Sequence, residues 1–299
     1  MGLPRVAKHT SKPAISIIGL GAVGSAFARA LSAAGYPLLT FIDRQRSTYD
    51  ELQSLLPETQ AATDVNSLRA ETEILLICVP DDQIAAVDRN LRKILPKMRL
   101  RACAHTSGTL AASVLESAAG LNIPAASMHP LQTFPRGGAT VSLKGICFAL
   151  EGNPAATGIL EKMVADIGGK TFNIASEQKS LYHTAAVFVS NFIPVLLRSG
   201  ADLAAASEIS EKEYLQMVAP LIRQSLENTL RSGPAEALTG PIARGDALTV
   251  ERHLRALRAE SPTALALYRM LSLKALELAV ERGLPEEQFE NLRRLLTEF

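Results

Sequence analysis

The glycine pattern G-x-G-x-x-G near the amino end constrains the fold more than any other feature of this 299-residue sequence. Gly19, Gly21 and Gly24 follow the β-branched run of residues 15–18 and precede an alanine-rich, helix-like stretch. In a dinucleotide site the first glycine makes the turn, the second admits the pyrophosphate, and the third lets helix and strand pack closely. We therefore interpret this segment as a pyrophosphate-binding loop rather than a structural turn alone. The residues of the predicted loop are Gly19, Gly21, Ala22, Val23 and Gly24.

The residues after the second predicted strand bear on which dinucleotide would bind. Asp43 ends the apolar run of residues 37–42 and follows the glycines by about 20 residues, where an acidic ligand of the ribose is expected. A carboxylate there favours NAD, because it accepts hydrogen bonds from both ribose hydroxyls and repels a 2′-phosphate. Arg44 and Arg46 favour NADP, because two guanidinium groups can neutralise that phosphate. We expect NADP as the cofactor and keep NAD as the alternative.

The alternation of strand-like and helix-like segments predicts the fold class. Apolar runs alternate with helical stretches as far as about residue 175, which is typical of a doubly wound parallel sheet. From residue 176 onward only helical periodicity remains. We therefore expect an α/β protein with a Rossmann-like dinucleotide-binding domain, 1–175, followed by an all-α domain for substrate binding and dimerisation, 176–299. Pro194 should kink the first long helix of the second domain, because it has no N–H to donate to the Ser190 carbonyl.

Composition excludes several classes of partner. The formal net charge is +1, so no broad basic surface argues for nucleic acid. We find no signal peptide and no apolar run that approaches the length of a membrane span, so no membrane partner is expected. The cysteines are odd in number and lack C-x-x-C spacing, which predicts no metal site and buried thiols in a reducing, cytoplasmic compartment. These cysteines are Cys78, Cys103 and Cys147.

Several motifs together resemble the 6-phosphogluconate-dehydrogenase-like superfamily, and within it the group labelled NADP or F420-dependent NADP oxidoreductases. They are IIGLGAVGSAFARAL, LLICVPDDQI, AHTSG, MHPLQTF, YHTAAVFVSNF and GPIARGD. The resemblance implies that Val79, Pro80 and Asp81 lie over the cofactor at the carboxyl edge of the sheet. It also implies a homodimer formed through the helical domain, and it leaves a deazaflavin open as the hydride partner.

The resemblance also locates a candidate proton donor. In related dehydrogenases a lysine and an asparagine, one turn apart in the first long helix of the second domain, assist hydride transfer. Aligning that signature places Asn191 on the asparagine and Val187 on the lysine. Valine cannot donate a proton, whereas His183 lies one turn earlier on the same helical face, and histidine is a side chain that can act as a general acid. We therefore expect His183 as general acid and Asn191 as an orienting group.

Further polar residues are expected near the same edge of the sheet. His105 and His129 each end a predicted strand, and we give both a candidate catalytic role. The segment HPLQTF stands where dehydrogenase relatives place a substrate loop. Ser107 either contacts the cofactor or caps the following helix, and Arg244 either reaches the substrate or pairs locally with Asp246. The remaining expected substrate-binding residues are Gln132 and Thr133.

Two functions from different classes fit this pattern. The first is an NAD(P)-dependent oxidoreductase that transfers a hydride between nicotinamide and a small carbonyl, imine or hydroxy substrate in the cleft between domains. The second is a non-catalytic NAD(P)-binding sensor or regulatory dimer, which the valine at position 187 favours. We expect the first, with a small-molecule substrate.

Overall fold

The structure of the protein is a computed structural model that describes residues 12–45, 49–135 and 141–299. The chain divides into two compact units, Met1–Ser190 and Asn191–Phe299. The first unit contains the sheet and extends beyond residue 175, the expected end of the first domain. It therefore also includes the helix Lys179–Ser190.

One eight-stranded sheet organises the first unit. Its order is β3-β2-β1-β4-β5-β6-β7-β8, and the first six strands are parallel. This confirms the expected α/β class with a Rossmann-like sheet. The strands are β1 Ile15–Ile18, β2 Leu38–Ile42, β3 Gln60–Ala62, β4 Ile74–Ile77, β5 Ala102–His105, β6 Ala125–Pro130, β7 Cys147–Gly152 and β8 Lys170–Asn173.

The sheet is not parallel throughout, and here the detailed expectation was wrong. β7 runs antiparallel to β6, with Ala126 opposite Gly152 and Pro130 opposite Phe148, and β8 runs parallel to β7. Parallel neighbours need a crossover connection, usually a helix, whereas the described residues between β6 and β7 contain none. The chain therefore returns in the opposite direction at this point.

Helices cover both faces of the sheet and form the second unit. In the first unit they are α1 Ala22–Ala33, α2 Tyr49–Leu55, α3 Asp81–Leu91, α4 Glu116–Ala119, α5 Pro154–Asp166 and α6 Lys179–Ser190. In the second unit they are α7 Phe192–Ala205, α8 Glu211–Ser232, α9 Pro234–Ala237, α10 Ala247–Glu260, α11 Pro262–Glu281 and α12 Glu286–Glu298.

Two hydrophobic cores lie on opposite faces of the sheet. Successive strand residues point to opposite faces, so Ile17 joins one core and Ile18 joins the other. The first core packs the sheet against α1 and α5, and the second packs it against α3 and α4. Because both faces are covered, the central strand β4 is apolar along its whole length.

The second unit has its own core between three helices. Val250 and Leu254 of α10, Leu276 of α11, and Leu292 and Leu296 of α12 are at most 1% exposed. By contrast, α8 has 22 residues and none of them is buried. Several of its large apolar side chains, among them Leu221 and Leu230, are therefore exposed to solvent in the single chain.

Within the segment Ser176–Ala205 an 18-residue window has a mean hydropathy of 1.4, and the segment is long and apolar enough, by length and composition alone, to cross a membrane. The expectation that no apolar run approaches that length was therefore wrong. The segment is interrupted between α6 and α7 at Asn191, three residues before Pro194. The interruption agrees with the predicted kink, since Pro194 cannot donate to the Ser190 carbonyl.

Candidate active site

The three glycines of the loop between β1 and α1 have different surroundings. A Cβ on Gly24 would lie 1.9 Å from the Gly19 carbonyl oxygen, and a Cβ on Gly19, whose φ is +89°, would lie 2.6 Å from the Cys78 carbonyl oxygen. A Cβ on Gly21 would meet no atom within 4 Å, and its φ is −61°. Chain packing thus explains two glycines and leaves open space at the third, at the amino end of α1. A pyrophosphate fits that space and the helix end beside it.

A groove of about 800 Å³ runs from this loop across the carboxyl edge of the sheet. Val79 and Pro80 line it, as the resemblance implied, together with Gly19, Gly21 and Asp43. Its size and its position at the point where the strand order reverses suit a dinucleotide.

The polar residues after β2 lie at one wall of the groove. The Asp43 carboxylate accepts hydrogen bonds from the backbone N–H of Leu20 at 2.6 Å and of Gln45 at 3.0 Å. The exposed Arg44 guanidinium donates to Gln83 Oε1 on α3 at 2.8 Å. Asp43 thus ties β2 to the glycine loop, while Arg44 borders the groove. Arg46 lies outside the described residues.

Asp81 follows Pro80 without itself lining the groove, and it bonds the segment 106–109 after β5, here called the β5 loop. It is the first residue of α3, and its Oδ2 accepts hydrogen bonds from Ser107 Oγ at 2.7 Å and Thr109 Oγ1 at 2.8 Å. Ser107 is buried, and its Oγ accepts from the N–H of Leu110 at 2.9 Å. The serine therefore caps the turn after β5.

His105 is fully buried, and both of its ring nitrogens contact the backbone. Nδ1 accepts from the Ser107 N–H at 3.2 Å, and Nε2 lies 3.1 Å from the Ala111 carbonyl oxygen. An N–H can only donate, so the ring is the neutral tautomer that carries its proton on Nε2. Burial is the main cause that lowers the pKa of His105. This arrangement fixes the course of the β5 loop.

His129 and His183 do come together, and Tyr182 contacts His129. The two imidazole rings lie 5.5 Å apart edge to face, and His129 Nδ1 lies 3.0 Å from the Tyr182 hydroxyl. We call these three residues the histidine cluster. In the described part of the chain, His183 Nδ1 is buried and has no hydrogen-bond partner. The cluster therefore holds a buried imidazole nitrogen that could bond an incoming ligand.

Burial sets the ionisation of this cluster. Desolvation, followed by the nearby His183 and Lys179, lowers the pKa of His129 to about 4. Desolvation also raises the pKa of Tyr182 to about 12. At neutral pH the His129 ring is uncharged and the Tyr182 hydroxyl keeps its proton.

Sequence reasoning missed Tyr182 and Lys179. Lys179 has no exposed surface, and its Nζ donates to Ser127 Oγ at 2.6 Å and to the Ser107 carbonyl at 3.2 Å. A signal was present: residues 179, 182 and 183 have the i, i+3, i+4 spacing that places side chains on one helical face. The charged lysine at the start of an otherwise apolar helix pointed to that face.

The other predicted residues belong to other elements of the chain. Gln132 and Thr133 are exposed and bond each other, with Gln132 Oε1 accepting from the Thr133 N–H at 2.7 Å. In the second unit, Asn191 precedes α7, and Arg244 is exposed in the loop before α10. Asp246 caps α10 by accepting from the Thr249 N–H at 3.1 Å, which explains the GPIARGD turn locally.

Comparison with family models identifies two domains in the sequence. Residues 5–130 match a Rossmann-like domain, and residues 146–275 match a domain of unknown function, DUF2520. No curated protein matches the sequence. The matches confirm the expected order of a Rossmann-like domain followed by an uncharacterised, largely helical one.

Solved structures share this fold over nearly the whole chain. A Bacteroides fragilis protein described as a "putative NADP oxidoreductase" has 25% identity and a TM-score of 0.72, over 89% of this chain and 99% of that one. A Thermotoga maritima protein has 25% identity and a TM-score of 0.71, over 90% and 99%. A reductive aminase from Aspergillus terreus, in complex with NADPH and ethyl levulinate, has 18% identity and a TM-score of 0.63, over 96% and 99%. The first of these agrees with the oxidoreductase group that the motifs resemble.

Proposed function

We propose that this chain, which joins a Rossmann-like domain to a DUF2520 domain, is an NADP-dependent oxidoreductase acting on a small carbonyl, imine or hydroxy compound. The observation that carries the proposal is the open space at Gly21, between two glycines that packing already requires. The similarity to the Bacteroides fragilis protein, described as an NADP oxidoreductase, supports it.

The direct test is calorimetric titration of the purified protein with NADP, NADPH, NAD and NADH at fixed salt and pH. We expect micromolar binding of NADP and NADPH and weaker binding of the other two. If none of the four binds, the groove has another occupant and the proposal is wrong.

The bonding of Asp43 supports NADP over NAD. Its carboxylate already accepts from the backbone N–H groups of Leu20 and Gln45, so part of its acceptor capacity is used within the chain. Arg44 provides a guanidinium at the same wall, suited to a 2′-phosphate. The sequence argument for NAD rested on a carboxylate fully available to the ribose.

In the proposed reaction NADPH supplies the hydride, and the chain must supply a proton at the substrate heteroatom. We assign the proton to His183, whose buried Nδ1 lacks a partner among the described residues. His129 packs edge to face against that ring and is itself held by the Tyr182 hydroxyl. His105 is given no proton transfer, since both its nitrogens bond the backbone.

The roles first expected for other residues stay predictions within this proposal. Val79, Pro80 and Asp81 would contact the cofactor mainly through backbone atoms, and Ala22 and Val23 would belong to its pyrophosphate loop. Asn191 would orient the substrate, and the remaining substrate-binding candidates are Gln132, Thr133 and Arg244.

A non-catalytic NADP-binding protein is the second candidate, because Val187 occupies the aligned position of the catalytic lysine. The two candidates differ in one observable. Incubation with NADPH and a panel of small ketones, aldehydes and cyclic imines should oxidise the nucleotide, seen as loss of absorbance, only if the protein is a reductase. If the protein binds NADPH tightly but none of these compounds causes its oxidation, the second candidate is favoured.

We further propose a homodimer in the cytoplasm, formed through the helical unit. Contiguous exposed apolar residues, such as those of α8, are typical of a protein–protein interface, and a second copy of the chain would bury them. These residues include Met217, Leu221 and Leu230, which are 65%, 70% and 79% exposed. Sedimentation should show a dimer, and Leu221→Glu together with Leu230→Glu should release monomers. A monomeric wild-type protein would refute this assembly.

A further inference from the structure

Lys179 is a buried cation that the proposed proton transfer does not use. It has no exposed surface and lies at the start of α6. Its Nζ donates to Ser127 Oγ and to the Ser107 carbonyl, while the Ser127 hydroxyl donates its single proton to that same carbonyl at 3.1 Å. The serine must therefore accept from the lysine. Lysine, serine and carbonyl form a closed triangle of hydrogen bonds.

Burying an ammonium group is costly unless nearby charges and acceptors compensate for the lost water. Two carboxylates compensate here: Glu151, which is 6% exposed, and Asp81. Glu151 also accepts from the Ala112 N–H at 2.7 Å, and Asp81 accepts from the hydroxyls of the β5 loop. One cation and two anions thus converge on the chain between β5 and α4.

The β5 loop in turn lies directly beside His129. A Cβ on Gly108 would lie 2.9 Å from His129 Nε2, so the ring rests where a side chain would otherwise be. A small displacement of this loop would therefore move the ring or allow it to tilt. The lysine triangle contains the Ser107 carbonyl, which belongs to the residue just before Gly108.

We propose that Lys179 is a positioning residue that fixes the β5 loop against His129 and places a positive charge beside the histidine cluster. The inference rests on the proposed function only in treating that cluster as the reacting site. The Lys179 ammonium bonds Ser107 and Ser127 and has no described contact with the groove or with His183. Its effect on the histidine cluster is therefore indirect, through the position of the β5 loop and through its positive charge.

The charge has a measurable consequence for His129. The titratable groups that face His129 are Tyr182, His183 and Lys179 on α6 and Asp81 on α3. Burial lowers the pKa of His129 most, His183 and Lys179 lower it further, and Asp81 opposes them. Removing the ammonium should therefore raise the pKa of His129.

The experiment is histidine-ring NMR titration of the full chain, with Lys179→Met compared with Ser127→Ala. The His129 signals are assigned from their loss in His129→Asn. In Lys179→Met the pKa of His129 should rise by about 0.5 or more, because charge and anchor are both lost. In Ser127→Ala it should change by less than about 0.2, because the cation remains. Backbone amides of the β5 loop should exchange faster in both variants, with the β1–α1 amides unchanged.

An unchanged pKa of His129 in folded Lys179→Met would overturn the charge role, and unchanged loop exchange would overturn the anchoring role. If Lys179→Met does not fold, Ser127→Ala decides the anchoring role by the same exchange measurement. NADPH titration of the wild-type protein is independent of these results. Absent NADPH binding would end the proposed function and leave the lysine assignment standing.

Discussion

Substituting Gly21 by alanine separates a structural turn from a nucleotide site. The backbone at Gly21 has φ −61° and ψ −170°, which alanine adopts without strain, and the added methyl group meets no atom within 4 Å. Alanine should stabilise the fold by about 0.4–1 kcal/mol through the unfolded chain. Residue 21 is also the N-cap of α1, and alanine is a poorer N-cap than glycine, so the substitution should cost a similar amount of stability, about 0.5–1 kcal/mol. We therefore expect a net change within about 1 kcal/mol.

The same methyl group would stand where a pyrophosphate must approach the backbone. We expect NADPH affinity to fall at least about tenfold, which corresponds to about 1.4 kcal/mol. Urea unfolding and calorimetric titration of the same sample measure the two effects separately. Binding equal to that of the wild-type protein would refute the assignment of the loop.

Two other glycines provide matched controls. Gly158 is exposed in α5 with nothing near its missing Cβ, so Gly158→Ala should stabilise the helix by about 1 kcal/mol and leave NADPH affinity unchanged. Gly24→Ala would force a methyl group within 1.9 Å of a carbonyl oxygen and should destabilise the fold by about 1–3 kcal/mol. Only Gly21→Ala should impair binding without impairing folding.

His183→Ala should lower turnover by about 10²-fold or more and leave NADPH affinity unchanged in titration; undiminished turnover would reject the role. Arg44→Ala should weaken NADP by about tenfold relative to NAD, and an unchanged affinity ratio would count against the phosphate contact. Asp43→Asn should weaken both nucleotides, because an amide has a single oxygen to offer two backbone donors; a gain for NADP alone would favour the ribose role. The pKa of His129 is about 4 in the folded protein, compared with 6.5 for an unperturbed histidine in the unfolded chain. As the pH falls, the unfolded chain therefore takes up this proton first, and the free energy of unfolding should fall by about 3 kcal/mol from pH 6.5 to pH 4. His129→Asn should remove that part of the pH dependence in urea unfolding, and an identical pH profile would contradict it.

The sequence predicted the sheet well because burial leaves a strong pattern. β4 is apolar at every position, and its neighbours lie at the spacing of strand–helix units. The antiparallel direction of β7 had no such signal, because the apolar pattern of a strand does not depend on whether it runs parallel or antiparallel to its neighbour. The short β3 also carries no periodic signal, because three residues give too few positions for any periodicity.

The candidate site was only partly predictable. The glycines, His105 and His129 could be located because they lie at the ends of strands at one edge of the sheet, and His183 because it shares a helical face with residues 187 and 191. What each histidine does depends on which backbone groups face its nitrogens, which no spacing specifies. Thus His105 and His129 looked alike in sequence, although one is bonded to the backbone on both sides and the other faces a tyrosine.

The position of Asp81 limits how this protein can change during evolution. The same residue begins the helix beside the nucleotide groove and accepts the hydroxyls that shape the β5 loop under His129. A substitution there would alter both regions in one step, so natural variation should avoid this position. Arg44 borders the groove from another loop, and its replacement leaves the Asp81 hydrogen bonds in place. If Arg44 binds the 2′-phosphate and the histidine cluster is the reacting site, as proposed, preference for one nucleotide can therefore drift between lineages while the histidine cluster stays fixed.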